Sequence, residues 1–508
     1  MTDAADTVFL DGEVHTLERP DKTCEAVAVS DGAIVQVGST YDVEFLVNTE
    51  TEVIDLDGQV LLPGFIDAHT HLTTTGRYLV HADLSTADSP ERAVELLAAR
   101  AAETDEEWVL GYGYDESGWD PSRYLTRDDL ETVATDRPVA AFREDMHVAS
   151  VNGEVLDRLR DAMPTGDIKT ADARPTGVVV EEAVDPVYRA VKPDRQGTRE
   201  LVTAAVDHAN ALGVTGIHDM VRQSHAPRVY RDLDAEDELT LRVRLNYWTD
   251  HLDSIADAGL RTNHGSEMVQ TGAIKSFSDG SLGGRTAKLH EPYDDGEGTG
   301  QWVVDPDELR EYVRRADELG LQFTTHAIGG VAIDRVLDVF ADCESPGDAR
   351  HRIEHVELAT DEAIDRFAEL DIVASVQPNF LKWAVDDGLY ASRLGDRTPV
   401  SNRFDDLLDA GVEVAFGSDG MPLDPLLGIH WTVNAPEPSQ RVSVTDALRA
   451  YTLGSAYAGF GDQRLGTISP GKRADFVALE QSPWDETESI CSIDVGMTVV
   501  DGEVVYEK

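Results

Sequence analysis

Two histidines one residue apart close an apolar run, Val60-Leu61-Leu62-Pro63-Gly64-Phe65-Ile66-Asp67-Ala68-His69-Thr70-His71. Side chains i and i+2 of a strand share a face, so His69 and His71 aim at one point just past the strand's end. Neutral imidazole is the commonest biological metal ligand, and this spacing suits a grip on one cation, although ordinary polar loop residues show it too. Three more strand-like runs end on ligand-competent side chains: Phe323-Thr324-Thr325-His326, Arg352-Ile353-Glu354-His355, and Val414-Ala415-Phe416-Gly417-Ser418-Asp419. Lys275 interrupts the apolar stretch Ala273-Ile274-Lys275-Ser276-Phe277, in a chain with only eight lysines. A buried ammonium is costly. Burial lowers its pKa, and the neutral amine can take up CO2 as a carbamate, which turns a cation into an anionic ligand. The plainer reading of Lys275 is a lysine paired with Asp279 or Asp419.

These side chains need strands to hold them. From residue 214 onward the sequence alternates strand and helix, with strands predicted to begin near Val214, Arg242, Gly272, Leu321, His351, Ile372 and Val412. A helix is predicted over Asp307–Leu319, where Leu309, Val313, Ala316 and Leu319 fall at helical spacing after Asp305-Pro306. With the opening strand this makes eight, so the predicted fold is α/β, a (β/α)8 TIM barrel with its active site at the C-terminal ends of the strands. Both chain ends read as short strands, with Asp11-Gly12, Asp31-Gly32 and Asp501-Gly502 as hairpin signals. The expected organisation is a small bipartite β-sandwich from residues 1–59 and 464–508 around a barrel over 60–463. About 150 residues separate the first strand from Val214, where a βα unit needs roughly 30, so residues 72–200 are read as a large inserted subdomain, placed to act as a lid.

The run from Pro63 through Asp67-Ala68-His69-Thr70-His71 resembles the first barrel strand of the amidohydrolase superfamily of metal-dependent hydrolases. Leu465-Gly466-Thr467-Ile468-Ser469-Pro470-Gly471-Lys472-Arg473-Ala474-Asp475-Phe476 resembles the segment that leads back into the terminal β domain of such proteins. Trp108–Asp115, Asp145–Asn152 and Arg174–Glu181 narrow the resemblance to the YtcJ-like branch, which includes N-substituted formamide deformylases. The resemblance covers essentially the whole chain. It implies two divalent metal ions, with zinc expected from the ligand types: His69, His71, Lys275 and Asp419 around one, and carbamylated Lys275, His326 and His355 around the other. It also implies hydrolysis of a C–N bond (amide, N-formyl or N-acyl) of a small molecule through a metal-bridged hydroxide. Asp419 is then the catalytic residue that carries the proton to the leaving nitrogen.

Further substrate-binding candidates are His147, with Asn152, from the insertion, Gln377 at the end of the seventh strand, and Arg285. Arg285 lies in Asp279–Ala287, which resembles a family motif with serine where Gly284 stands, and an acid partner is the other reading of Arg285. His218, read as ending the second strand, could face the pocket too and matches no ligand position. A deaminase or imidazolonepropionase-like cyclic-amide hydrolase is the alternative, but those often use one metal without a bridging lysine. A non-catalytic, amidohydrolase-like regulatory protein would have lost ligands, and here all six positions are filled.

Composition narrows the partners. The 97 acidic residues outnumber the 43 basic ones, for a net charge of −54, and they are spread from end to end. Nucleic-acid binders need a basic stripe and anionic membranes repel such a chain, so neither is an expected partner. No apolar run is long enough to span a bilayer, and the N-terminus lacks a signal-peptide pattern. Cys24, Cys343 and Cys491 lie far apart without a CxxC pair, which reads as reduced thiols in a cytoplasm. A homodimer is the default expectation for assembly. The acidic, lysine-poor surface resembles that of halophile proteins. Such a charge destabilises the compact state by self-repulsion, and the Debye length falls to about 3 Å at 1 M salt. The unfolding midpoint is therefore expected to rise between dilute buffer and molar KCl, and an unchanged midpoint would refute salt-dependent folding.

Overall fold

The structure, a computed structural model, describes residues 4–508, so the first three residues of the 1–59 segment lie outside the described residues. The chain forms two compact units, Met1–His71 with Val206–Lys508, and Leu72–Ala205.

The first unit contains a nearly closed barrel of eight parallel strands in sequential order: β1 (Phe65–Thr70), β2 (Val214–Val221), β3 (Arg242–Trp248), β4 (Val269–Phe277), β5 (Phe323–Ala327), β6 (Arg352–His355), β7 (Val373–Val376) and β8 (Val414–Phe416). Buried parallel strands read as continuous apolar runs rather than alternating ones, and β1, β2, β5, β6, β7 and β8 are buried from end to end. The seam between β8 and β1 is joined just past the strands, where the Asp419 amide donates to the His69 carbonyl at 2.7 Å. The predicted helix between β4 and β5 runs Pro306–Glu318; the Asp305 side chain caps it, and Leu309, Val313 and Ala316 are buried.

Strands from the two chain ends form two further sheets. One holds Ala33–Gly38, Ala26–Ser30, Thr7–Leu10 and Glu52–Asp55. The other holds Glu503–Glu507, Val495–Val500, Phe476–Leu479, Val60–Pro63, Glu13–His15 and Thr23–Cys24. One buried cluster that includes Phe9, Val29, Leu61, Phe476 and Met497 draws on both. Val60–Pro63, read above as the lead into the barrel, pairs instead with Phe476–Leu479, and the chain crosses into β1 at Gly64, where a Cβ would collide with the Thr215 side chain.

Two of the three Asp-Gly signals are tight hairpins: Asp31-Gly32 (φ 50° and 68°) and Asp501-Gly502 (φ 56° and 85°) each join antiparallel neighbours. The third reading is corrected. Asp11 has φ 57°, but Gly12 is not left-handed, so the type I′ geometry that returns a strand on itself is missing. The chain passes there from one sheet to the other, with Gly12 pressed against Leu56.

The second unit, taken by itself, is a six-stranded mixed sheet in the order Ile168–Ala171, Arg174–Val180, Val148–Val151, Val139–Arg143, Val109–Tyr114 and Ala82–Asp83. Alternate residues face two separate cores. Leu110, Tyr112, Ala140 and Phe142 enter one, while Val109, Val139 and Ala141 enter the other with Trp119 and with Tyr114, which an irregularity at Gly113 takes out of the alternation. Among the described residues no helix is long and apolar enough to cross a membrane.

Within the first unit, Arg242 at the start of β3 is bidentate to buried Asp475, at 2.6 and 3.0 Å, and reaches Asp501 at 2.9 Å. Removing one partner of a buried pair leaves an uncompensated charge, so Arg242→Met is expected to cost about 3–5 kcal/mol in denaturant unfolding at molar salt.

Candidate metal centre

Six of the residues singled out in the sequence lie on or just past barrel strands. His69 is the fifth residue of β1 and His71 follows that strand; Lys275 is the seventh residue of β4; His326 and His355 lie at the C-terminal ends of β5 and β6; Asp419 follows β8. Ligand atoms of His69, His71 and Asp419 fall within 4.8 Å of one another. Asp419 Oδ1 stands 3.5 Å from His69 Nε2 and 3.3 Å from His71 Nε2. The His355 ring centroid lies 5.0 Å from that of His69 and 4.4 Å from that of His326.

Electrostatics favours neutral His69, His326 and His355 rings, whereas His71, against the cost of burial, is raised by its contact with the charged Asp419 carboxylate. Burial, reinforced by the Lys275 ammonium, lowers His326 to about 3, and burial with the neighbouring His326 and His69 rings holds His355 well below the imidazole range. Burial opposes a charged Asp419, but His69, His71 and His355 outweigh it and keep this carboxyl far below the usual range. Lys275 is 1% exposed and its Nζ has no hydrogen-bond partner; burial lowers it to about 8. The alternative reading of Lys275, an ion pair with Asp279 or Asp419, is not present among the described residues. The Asp279 carboxylate instead accepts from the backbone N–H groups of Lys288 (2.7 Å), Gly329 (2.9 Å) and Ile328 (3.1 Å).

A shell of buried polar groups fixes these side chains. Glu354 Oε2 binds His69 Nδ1 at 2.6 Å, which turns Nε2 toward Asp419. The other Glu354 oxygen takes Arg352 Nε at 2.7 Å and the Thr324 hydroxyl. Arg352 continues to His218 Nδ1 and to the Ala68 carbonyl, both at 2.8 Å. Asp67 Oδ1 accepts from the His69 and Ser418 amides, each at 3.0 Å, and so braces β1 against the residues after β8. His355 has φ 76° and Val356 φ 53°, and the Val356 amide donates back to the Glu354 carbonyl at 3.1 Å. That is a γ-turn with a left-handed centre, a rare and strained geometry of the kind found at functional sites.

The other candidates are placed as follows. Gln377 is buried just past β7, and its Oε1 has no partner. Arg285 forks onto Asp295 at 3.0 and 2.8 Å, so the acid-pair reading describes it. His147, in the second unit, is exposed and binds Glu181 at 3.1 Å. Asn152 is corrected: its side chain caps the helix Gly153–Leu159 by accepting from Val155, also accepts from the Val139 amide, and donates to the Ala134 and Arg137 carbonyls, so it has nothing left to offer a substrate. Sequence reasoning passed over Arg352, Glu354 and Asp67. The signal was there: Arg352-x-Glu354 sets two charges on one face of a short buried strand, and Asp67 shares the parity of His69 and His71.

The profile of the amidohydrolase family matches residues 52–506. YtcJ of Bacillus subtilis, which bears an amidohydrolase name, is 32% identical over 98% of both chains. N-substituted formamide deformylase of Arthrobacter pascens is 27% identical, over 100% of this chain and 99% of its own. A metal-dependent hydrolase of Pyrococcus horikoshii superposes with a TM-score of 0.82 at 29% identity, over 95% of this chain and 99% of that one.

Glu354 tests how far this centre depends on its support. Replacing the carboxylate partner of a ligating histidine typically costs 10–100-fold in metal affinity. Glu354→Gln, which keeps the shape and loses the charge, is expected to fall in about that range in chelator-competition titrations while remaining folded.

Proposed function

Because this chain belongs to the amidohydrolase family, we propose that it is a metal-dependent hydrolase that cleaves a C–N bond, amide, N-formyl or N-acyl, in a small molecule. The observation that carries the reading is Lys275: a fully buried amine with no acceptor, close enough to His69, His326 and His355 for its charge to depress all three. Addition of CO2 to the neutral amine, with loss of one proton, makes a carbamate and removes that buried cation. In this reading His69, His71, Lys275 and Asp419 hold one divalent cation, zinc by ligand type, and carbamylated Lys275, His326 and His355 hold a second. Cations bound there would polarise a carbonyl and bring the pKa of water down to about 7.

The chain's own residues orient the centre and handle the proton. Glu354 fixes the tautomer of His69, so that Nε2 is the free ligand atom. Low pKa values keep His326 and His355 unprotonated at neutral pH. Asp419, held ionised by its histidine neighbours, takes the proton of the attacking water and passes it to the leaving nitrogen. The relation to a formamide deformylase favours N-formyl amines within the amide class.

The test is a screen of N-formyl amines, N-acyl amino acids and cyclic amides with zinc-loaded protein at molar salt. Hydrolysis of the N-formyl or N-acyl set is expected, with two metal ions per chain. Lys275→Met should cut kcat/KM by at least about 100-fold, the upper end of what losing an outer ligand partner costs. It should also abolish the carbamate signal that carbon-13 bicarbonate gives in NMR. One metal per chain with an unmodified lysine would favour the deaminase reading instead.

A further inference from the structure

A cavity of about 220 Å³ lies away from the metal centre, around the N-terminal halves of β1 to β4. Ile66 is the second residue of β1, Arg244 the third of β3 and Gln270 the second of β4, whereas the candidate metal ligands sit at or beyond the other strand ends. Ala456, in the helix Ser455–Ala458, and residues 459–465 after it supply a further wall. Val243, Phe460 and Leu465 give it apolar walls.

Two of its polar side chains, Arg244 and His218, offer donors to the cavity. Arg244 gives Nη1 to Gln270 Oε1 and Nη2 to Asn263 Oδ1, each at 2.8 Å, so both of its hydrogen-bond partners are neutral amides. Among the described residues no carboxylate pairs with this guanidinium, although acids outnumber bases by more than two to one in the chain. Burial, with the charges of Arg352 and Arg350, lowers Arg244 to about 9, which marks an environment short of negative charge. The lining acid Glu267 is taken by Arg464. His218 adds a second donor: Arg352 donates to its Nδ1 at 2.8 Å, which leaves the ring proton on Nε2. A Cβ on Gly459 would stand 2.6 Å from Arg244 Cδ and 2.7 Å from His218 Nε2, so both side chains flank one spot over that glycine, which a larger residue would fill.

We propose that this cavity binds a small organic carboxylate, with its charge held by Arg244 and the His218 Nε2–H and its apolar body against Val243, Phe460 and Leu465. A carboxylate supplies the counter-charge that Arg244 lacks, and the guanidinium fork matches it in shape. The cavity is larger than an inorganic anion needs, and its apolar walls select for a carbon skeleton. The site stands apart from the metal-dependent reading above and needs no metal.

Calorimetric titration of the zinc-loaded full chain with benzoate, at matched ionic strength in molar KCl, tests it. Saturable binding near one per chain is expected, with uncharged benzamide at least tenfold weaker. Arg244→Gln should weaken benzoate at least tenfold while circular dichroism and metal content stay unchanged. Leu465→Trp, which fills the cavity without altering charge, should do the same and serves if the first variant does not fold. Absence of saturation, equal affinity for benzamide, or benzoate binding that both variants leave intact, which would place it at the metal centre, overturns the proposal.

Discussion

The Asp419 amide donates to the His69 carbonyl, and that one backbone hydrogen bond ties the residues after the last barrel strand to the first. The centre as built depends on this closure, because His69 and His71 arrive from one side of the seam and Asp419 from the other. Asp67 reinforces it by accepting from amides on both sides. Gly417 permits it, since a Cβ there would come within 2.5 Å of the His69 nitrogen. A barrel whose seam stood open by an ångström would still bury its core. It would not bring two imidazoles and a carboxylate to one point.

Behind the seam, the barrel interior carries charges that an apolar core would avoid. Arg352 and Glu354 are almost wholly buried, and each is satisfied by several partners: one another, Thr324, the Ala68 carbonyl and two histidines. A buried ion pair is weak evidence of net stability, because desolvation can cancel the attraction. What the network does supply is orientation, because every ring nitrogen it engages is fixed in role. Lys275 differs from Arg352 and Glu354: its Nζ has no hydrogen-bond partner among the described residues and lies 5.2 Å from the Phe277 ring centroid.

Much of the barrel was readable because parallel strands announce themselves as short apolar runs, and because β/α units recur at regular spacing. His69, His71, His326, His355 and Asp419 stood out for a related reason: each interrupts or ends such a run. Register among distant segments was less readable. Val60–Pro63 is as apolar as β1, and nothing local says that it pairs with Phe476–Leu479, more than 400 residues later in the chain. Asp11-Gly12 carries the same dipeptide as two true hairpins, yet the following strand is claimed by another sheet. Asn152 has a side chain suited to substrate contact or to capping, and only its neighbours decide between them. Arg285 is settled the same way, by the proximity of Asp295.

The left-handed pair His355 and Val356 has a consequence beyond aim. A β-branched residue in that region is held against its own preference, at a cost of order 1–3 kcal/mol per strained residue. Glycine at 356 would relax the turn but would also strip a buried side chain from the core, so the strain is kept together with the packing that Val356 supplies beside His355.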